Sequence, residues 1–237
     1  MSNWTERTSL LLGEDKLEIL QNANILVVGL GGVGGYACEQ LCRAGIGKMT
    51  IVDGDTISSS NRNRQIQALV STTNQKKAIV LEKRLLDINP KIKLNVVSDY
   101  VPAQKMAKIL EENFDYVVDA IDTLLPKVEL LELAMNKKLK IVSSMGAGGK
   151  IDPCQIKIAD ISQTYNCSLA RILRKRLHRR NIFTGIKAVF SSEKINKRSE
   201  ITVEEKNKKT ITGTVSYLPS IFGSMCASVV IRDLTEL

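Results

Sequence analysis

Histidine is nearly absent: the 237 residues hold one, His178, set in a run of arginines. That argues against a histidine-based catalytic triad and makes His178 a surface or RNA-facing residue. Cysteine is scarce and unpatterned. The five thiols, Cys38, Cys42, Cys154, Cys167 and Cys226, form no C-x-x-C pair, so a four-cysteine zinc site is not indicated. Free thiols, together with a first twenty residues that lack an apolar core and carry charges throughout, read as a chain of the reducing cytoplasm rather than a secreted one. Spanning-length apolar runs are missing too. The uncharged stretch from Gly213 to Ile231 covers 19 residues, but Pro219, Gly223 and four serines mark it as a buried helix or interface, and no stable membrane insertion is expected. Neither internal repeats nor low-complexity tracts are present.

What is there resembles an ordinary globular protein, 43% hydrophobic and 25% charged. The length suits one large domain, or one domain with a sizeable extension. The formal charge of +9 is unevenly placed: residues 1–150 hold 19 Lys/Arg against 17 Asp/Glu, and residues 151–237 hold 15 against 8. The positive excess belongs to the last third.

Short apolar runs at Asn24–Gly29, Met49–Asp53, Leu94–Ser98, Tyr116–Ala120 and Lys140–Ser143 alternate with helical patterns at Val33–Ala44, Gln75–Asn89, Pro102–Glu112 and Lys127–Lys137. Alternation of this kind predicts an α/β fold, a doubly wound and mainly parallel sheet with helices on both faces. After Ala147 the pattern changes. Ile156–Ala159 reads as a strand, and Ser168–Arg180 as a basic helix with Leu169, Ile172, Leu173 and Leu177 as its apolar stripe. Residues 193–212, rich in Lys, Glu, Thr and Asn, read as a mobile surface loop. The expected division is a Rossmann-like half over 1–150 and a C-terminal extension over 151–237 packed on the same domain.

Gly29-Leu30-Gly31-Gly32-Val33-Gly34 follows one strand and opens a helix. Glycines let the backbone approach phosphates, and the helix N-terminus supplies free N–H groups. Asp53, ending the next strand, can take ribose hydroxyls. Taken alone this suits a nicotinamide as well as ATP. The set that follows, Asp55 and then Asn61, Arg62, Asn63, Arg64 and Gln65, with Lys77 beyond it, turns the reading toward phosphoryl or nucleotidyl transfer. Arg64 can grip phosphate oxygens bidentately, and Lys77 adds a point charge where negative charge develops. Asp119 or Asp122 can ligate magnesium at the carboxyl edge, with a helix N-cap as the other reading for Asp122.

The ordered set G-x-G-G-x-G, D-x-D, N-x-N-R-Q, the lysine and D-A-I-D resembles the ubiquitin-like activating superfamily of ThiF/MoeB/HesA type. The stretches Asn61–Ala68, Asp119–Asp122, Met145–Pro153 and Cys167–Leu177 are similar to one branch of it, the TcdA (CsdL/YgdL) tRNA threonylcarbamoyladenosine dehydratases. The resemblance implies an enzyme that takes ATP and Mg2+. Gly29, Gly31, Gly32 and Gly34 would line the phosphates, and Asp53 would bind ribose. Asn61, Arg64 and Lys77 would hold the phosphates, and Asp122 the metal, with Asp55 and Gln65 in the same binding set. Arg7 matches the arginine that reaches a partner subunit's ATP site, which implies a homodimer. Arg64, Lys77, Asp122 and Arg7 are thus the expected catalytic group.

In the implied reaction a carboxylate attacks the α-phosphate of ATP, and an internal attack then expels AMP and closes a ring with net loss of water. No general base is required, in keeping with the lone histidine. Relatives that activate sulfur carriers use a cysteine after adenylation; here only Cys167 is placed for that, and a structural role is the stronger reading. Arg171, Arg174, Lys175, Arg176, Arg179 and Arg180 form a cationic run whose expected partner is tRNA. The alternative is an adenylyltransferase activating a ubiquitin-like sulfur-carrier protein, and a sulfur-transfer protein is a further candidate partner. The zinc-binding cysteine pairs of many such relatives are absent.

Overall fold

A computed structural model describes residues 4–194, 200–205 and 208–237. Its five leading strands are the short apolar runs: β1 (Asn24–Val28), β2 (Lys48–Val52), β3 (Lys93–Val97), β4 (Tyr116–Asp119) and β5 (Ile141–Ser144). Two more, β6 (Ile156–Asp160) and β7 (Lys187–Ser191), come from the last third and complete one seven-stranded sheet in the order β3-β2-β1-β4-β5-β7-β6. Every neighbouring pair is parallel except β6 with β7. β1, β4 and β5 are almost wholly buried because helices cover both faces. The chain winds outward from β1 through β2 to β3, then returns to β4 on the other side. The carboxyl ends of β1 and β4 therefore flank the topological switch point, where ligands bind in sheets of this kind.

One face carries α3 (Gly34–Arg43), α4 (Lys77–Ile88) and α8 (Tyr217–Thr235), whose Leu41, Leu81, Leu85, Leu218, Phe222 and Val230 share one core. Most of α8 comes from the uncharged stretch Gly213–Ile231, a buried helix as its composition indicated. Gly223 lets it lie against α3, since a Cβ there would stand 2.3 Å from the Val33 carbonyl oxygen. The opposite face is covered by α5 (Ala103–Ile109), α6 (Leu124–Asn136) and α7 (Ser168–His178), with Leu131, Ile141, Leu173, Leu177 and Phe190 in a second core. α1 (Glu6–Leu12) and α2 (Glu14–Asn22) precede β1.

Four points differ from the sequence reading. β7 was not anticipated from the sequence, nor were α1 and α2. The described part of 193–212 is not a loop: β8 (Glu200–Glu205) and β9 (Lys208–Thr212) pair antiparallel, with Ile201 opposite Ile211 and Thr202 opposite Thr210. The consecutive β-branched residues Ile201–Val203 and Thr210–Thr212 favour extended backbone; residues 195–199 and 206–207 lie outside the described residues. α6 starts at Leu124, ahead of Pro126, because proline is tolerated in a first helical turn where its missing N–H has no partner to lose.

Two polar clusters tie the layers together. Asp119 and Lys127 are both fully buried, with Nζ 2.6 Å from Oδ2. Asp119 also accepts from Ser143 Oγ at 2.6 Å and from the Ile121 N–H at 3.1 Å, while Lys127 donates to the Ile121 carbonyl at 3.1 Å. Near the start of α6 this pair fixes the turn that follows β4. Second, Asp233 of α8 accepts from Tyr116 of β4 at 2.7 Å and from Lys187 of β7 at 2.6 Å. Burial alone would raise the Asp233 carboxyl, but those bonds outweigh it and hold it below the usual carboxylate range.

Removing one partner of a buried pair leaves the other charged and unsolvated. Lys127→Met is expected to cost about 3–5 kcal/mol in chemical denaturation, with Lys127→Met/Asp119→Leu recovering much of the loss. Because the folded pKa of Asp233 is depressed, its contribution is complete above the unfolded value of about 4 and disappears as pH falls through the folded one. Denaturation midpoints of the wild type and Asp233→Asn should thus converge as pH drops below about 4 and stay apart at neutral pH.

Candidate active site

The glycine loop leaves β1 at the switch point. Gly29 has a φ of +86°, and a Cβ on it would stand 2.7 Å from the Ala120 carbonyl oxygen. A Cβ on Gly34 would fall 1.8 Å from the Gly29 oxygen, so only glycine allows α3 to start this close to the strand. No side chain caps the N-terminus of α3, and Gly31, Gly32 and Val33 are half-exposed. The first turn of the helix thus offers backbone donors and its positive dipole end to an anion.

The residue at the centre of the loop is gripped at both ends of its backbone. The Leu30 N–H donates to Asp53 Oδ2 at 2.7 Å, and the Leu30 carbonyl accepts from Gln67 Nε2. Asp53 Oδ1 accepts from the Asp55 N–H at 2.8 Å, so one carboxylate joins the ends of β1 and β2. Burial raises the Asp53 carboxyl above its ordinary value despite the opposing charge of Lys77 and the two N–H donors. Each carboxylate oxygen retains acceptor capacity for a ribose hydroxyl.

Lys77 opens α4 with its side chain buried and its Nζ 2.7 Å from Asp55 Oδ2, itself an exposed carboxylate. An ion pair with one solvent-screened member is weak, and an arriving phosphate can replace Asp55 at little cost. Arg64 is half-buried. Its Nη1 donates to Asn63 Oδ1 at 2.8 Å and to the Ser60 carbonyl at 3.1 Å, and its Cγ and carbonyl oxygen pack on Gly32. Asn63 in turn donates to the Thr214 carbonyl at 3.0 Å, linking this segment to the chain ahead of α8. Asn61 shapes the turn, accepting from the Ser58 N–H at 3.0 Å. Gln65 is buried against the loop, and its Oε1, like that of Gln67, has no partner among the described residues. A cradle of glycines that any Cβ would fill, with Arg64 and Lys77 at its rim, fits a nucleotide with phosphates.

The structure brings Gly29, Gly31, Gly32, Gly34, Asp53, Asp55, Asn61, Arg64, Gln65 and Lys77 together on the carboxyl edge. Asp122 is exposed in the turn after β4 on that same edge, while Asp119 is consumed by Lys127 beneath it. Of the two carboxylates considered for magnesium, Asp122 is therefore the one with access to ligand. Arg7 does not join the cluster. It is exposed on α1, and Thr5, just ahead of that helix, abuts Gly45 at the far end of α3, roughly 15 Å of helix from the glycine loop.

Among the basic residues, Arg171, Lys175, Arg176 and Arg179 are exposed and have no ion pair among the described residues. Arg174 instead donates to Thr164, and Arg180 pairs with Glu132. Cys167 is buried at the N-cap of α7 and accepts from the Ala170 N–H at 3.5 Å, a structural position. Burial pushes the Cys42 thiol up to about 11 and that of Cys226 up to about 12, so neither is a nucleophile at neutral pH.

Sequence reasoning missed the roles of Gln67 and Lys127. Gln67 lies two residues past the recognised motif, and its partner, the Leu30 carbonyl, is 37 positions away, so no local pattern marks it.

The model of the ThiF family matches residues 5–237. The chain belongs to the ThiF family. Among curated members of the family, it is 33% identical to the tRNA threonylcarbamoyladenosine dehydratase of Bacillus subtilis over 97% of this chain and 94% of that protein. With the Escherichia coli protein of the same name it shares 41% identity over 73% of this chain and 66% of the relative. The crystal structure of the E. coli dehydratase TcdA in complex with ATP superposes with a TM-score of 0.88 at 34% identity, covering 97% of this chain and 93% of that one.

Within this ThiF fold, Gln67→Leu removes the donor to the Leu30 carbonyl and is expected to weaken ATP binding about tenfold by calorimetry, the cost of one unmade buried hydrogen bond. ATP affinity should also decline on acidification at a pH above the ordinary carboxylate range, because Asp53 protonates early. In Asp53→Asn that acid limb should vanish.

Proposed function

We propose that this chain uses ATP to dehydrate threonylcarbamoyladenosine in tRNA, through adenylation of the modified nucleoside's carboxylate. The reading is carried by the extent of the family likeness: it runs past the nucleotide-binding half, over 97% of the chain, to a protein solved with ATP and named for this tRNA modification. The glycine loop and the N-terminus of α3 receive the phosphates, Asp53 takes the ribose, and Asn61 and Gln65 order the wall beside them. Arg64 and Lys77 neutralise the charge that develops as a carboxylate oxygen bonds to the α-phosphorus and pyrophosphate leaves. Asp122 would hold the magnesium ion, which screens the phosphate charge when bound.

The second step needs no protein nucleophile. A urea atom of the same substituent attacks the activated carbonyl carbon, the bond to AMP breaks, one proton is released, and the ring closes with net loss of water. Positioning of a neutral urea beside its own acyl group is an intramolecular task, so the absence of a catalytic histidine or thiol is no obstacle.

In this reading residues 1–150 bind ATP, and residues 151–237 complete the sheet and present cations to tRNA in the cytoplasm. Arg7 acts in trans. α1 carries Leu10 and Leu11, 80% and 83% exposed, beside Arg7, an apolar face suited to a second copy of the chain.

Incubation with ATP, magnesium and tRNA carrying threonylcarbamoyladenosine, followed by digestion and mass spectrometry, should show that nucleoside lighter by one water and AMP released. AMP release only with a small carrier protein would instead establish the adenylyltransferase. Arg64→Ala should lower kcat at least a hundredfold, while Leu10→Glu/Leu11→Glu should yield monomers by light scattering and lose activity through Arg7.

A further inference from the structure

α7 buries Ala170, Leu173 and Leu177 and turns its other faces to solvent. Arg171, Lys175 and His178 follow one another at spacings of four and three, one line along the exposed side of the helix. Just beyond its end stands Phe183, 55% exposed, with its ring 5.0 Å from that of His178 and tilted by 39°. An exposed phenylalanine backed by an imidazole at the end of a row of unpaired cations has no packing role that would explain it. The row begins near the reaction edge, because Leu169 in the first turn of α7 lies against Gly146 in the segment after β5. It then runs for roughly 10 Å from Arg171 to His178, enough for about two nucleotides.

We propose that Phe183, supported by His178, is a stacking platform for an unpaired base of the tRNA strand whose phosphates lie along Arg171 and Lys175. The proposal rests on tRNA being the substrate. An RNA strand is the occupant that matches both features: its phosphates complement the cations, and the π-face of a base complements the free face of the Phe183 ring. An acidic peptide would satisfy the cations and leave the ring in water. The platform holds a nucleotide flanking the reacting one, and so works through affinity and register rather than on the reacting atoms.

The test measures binding of the full chain to an anticodon stem–loop carrying threonylcarbamoyladenosine, across a range of salt, and to inorganic polyphosphate as a probe with charge and no bases. Phe183→Leu should lose about tenfold in affinity for the stem–loop with the salt slope unchanged, and bind polyphosphate as the wild type does. Phe183→Trp should bind the stem–loop within about twofold of the wild type, which a purely structural role would not predict. Arg171→Ala/Lys175→Ala should weaken both ligands and flatten the salt slope by roughly 0.7 per cation removed. Undiminished stem–loop affinity in Phe183→Leu, or equal losses in Phe183→Leu and Phe183→Trp, overturns the platform. If either occurs while the wild type still dehydrates the tRNA, the platform alone fails. A wild type that neither binds the stem–loop nor dehydrates the tRNA overturns the platform together with the tRNA reading.

Discussion

The carboxyl edge depends on how closely one helix can approach two strands. Gly34 stands where any side chain would collide with the Gly29 carbonyl, and Gly29 where one would collide with Ala120. These contacts bring the first turn of α3 to the junction of β1 and β4. From there the position of every functional group follows. Asp53 reaches the Leu30 N–H because β2 lies beside β1 in register. Arg64 packs on Gly32 because no Cβ intervenes, and Pro219 of α8 closes the same glycine from the other side. The loop is thus a packing element before it is a binding element.

The charges divide into those spent on the fold and those left for ligands. Asp119 and Lys127 neutralise one another in the core, and Lys150 donates to the carbonyl of Asn166 at 3.1 Å and to that of Glu193, closing the segment that leads to β8. Burial lowers the Lys150 ammonium's pKa, and main-chain oxygens solvate the charge in place of water. Arg174 and Arg180 are likewise used internally. The nucleotide edge keeps a half-buried Arg64 and a Lys77 whose counter-ion faces solvent, and α7 with its C-cap keeps four cations that have no ion pair among the described residues. The +7 excess of residues 151–237 is therefore only partly available to an external polyanion.

Much of this was legible in the residues. β1, β2, β4 and β5 announce themselves as short runs because both of their faces are covered, and α8 because fifteen of its residues lie in one uncharged stretch. The ordered glycine, D-x-D and N-x-N-R-Q motifs fall on one edge of the sheet, and each is readable because it is local in sequence. The rest depends on long-range pairing. β7 is a five-residue run whose strand identity comes from Met145 and from its register with β6, and the β8–β9 ladder lies in a segment whose composition alone suggests solvent. The Asp119–Lys127 pair is eight residues apart, yet nothing local says that both side chains point inward. Gln67 is a glutamine among glutamines until the Leu30 carbonyl is seen above it.

The double grip on Leu30 has a thermodynamic meaning. A phosphate-binding loop that is disordered when empty must surrender its conformational freedom each time a nucleotide arrives, at a cost of roughly 1–2 kcal/mol for each backbone residue fixed. Here Asp53 and Gln67 hold the central peptide through bonds internal to the chain, so that entropy is lost during folding and nucleotide binding does not bear it again. Stability and affinity are drawn from the same two side chains.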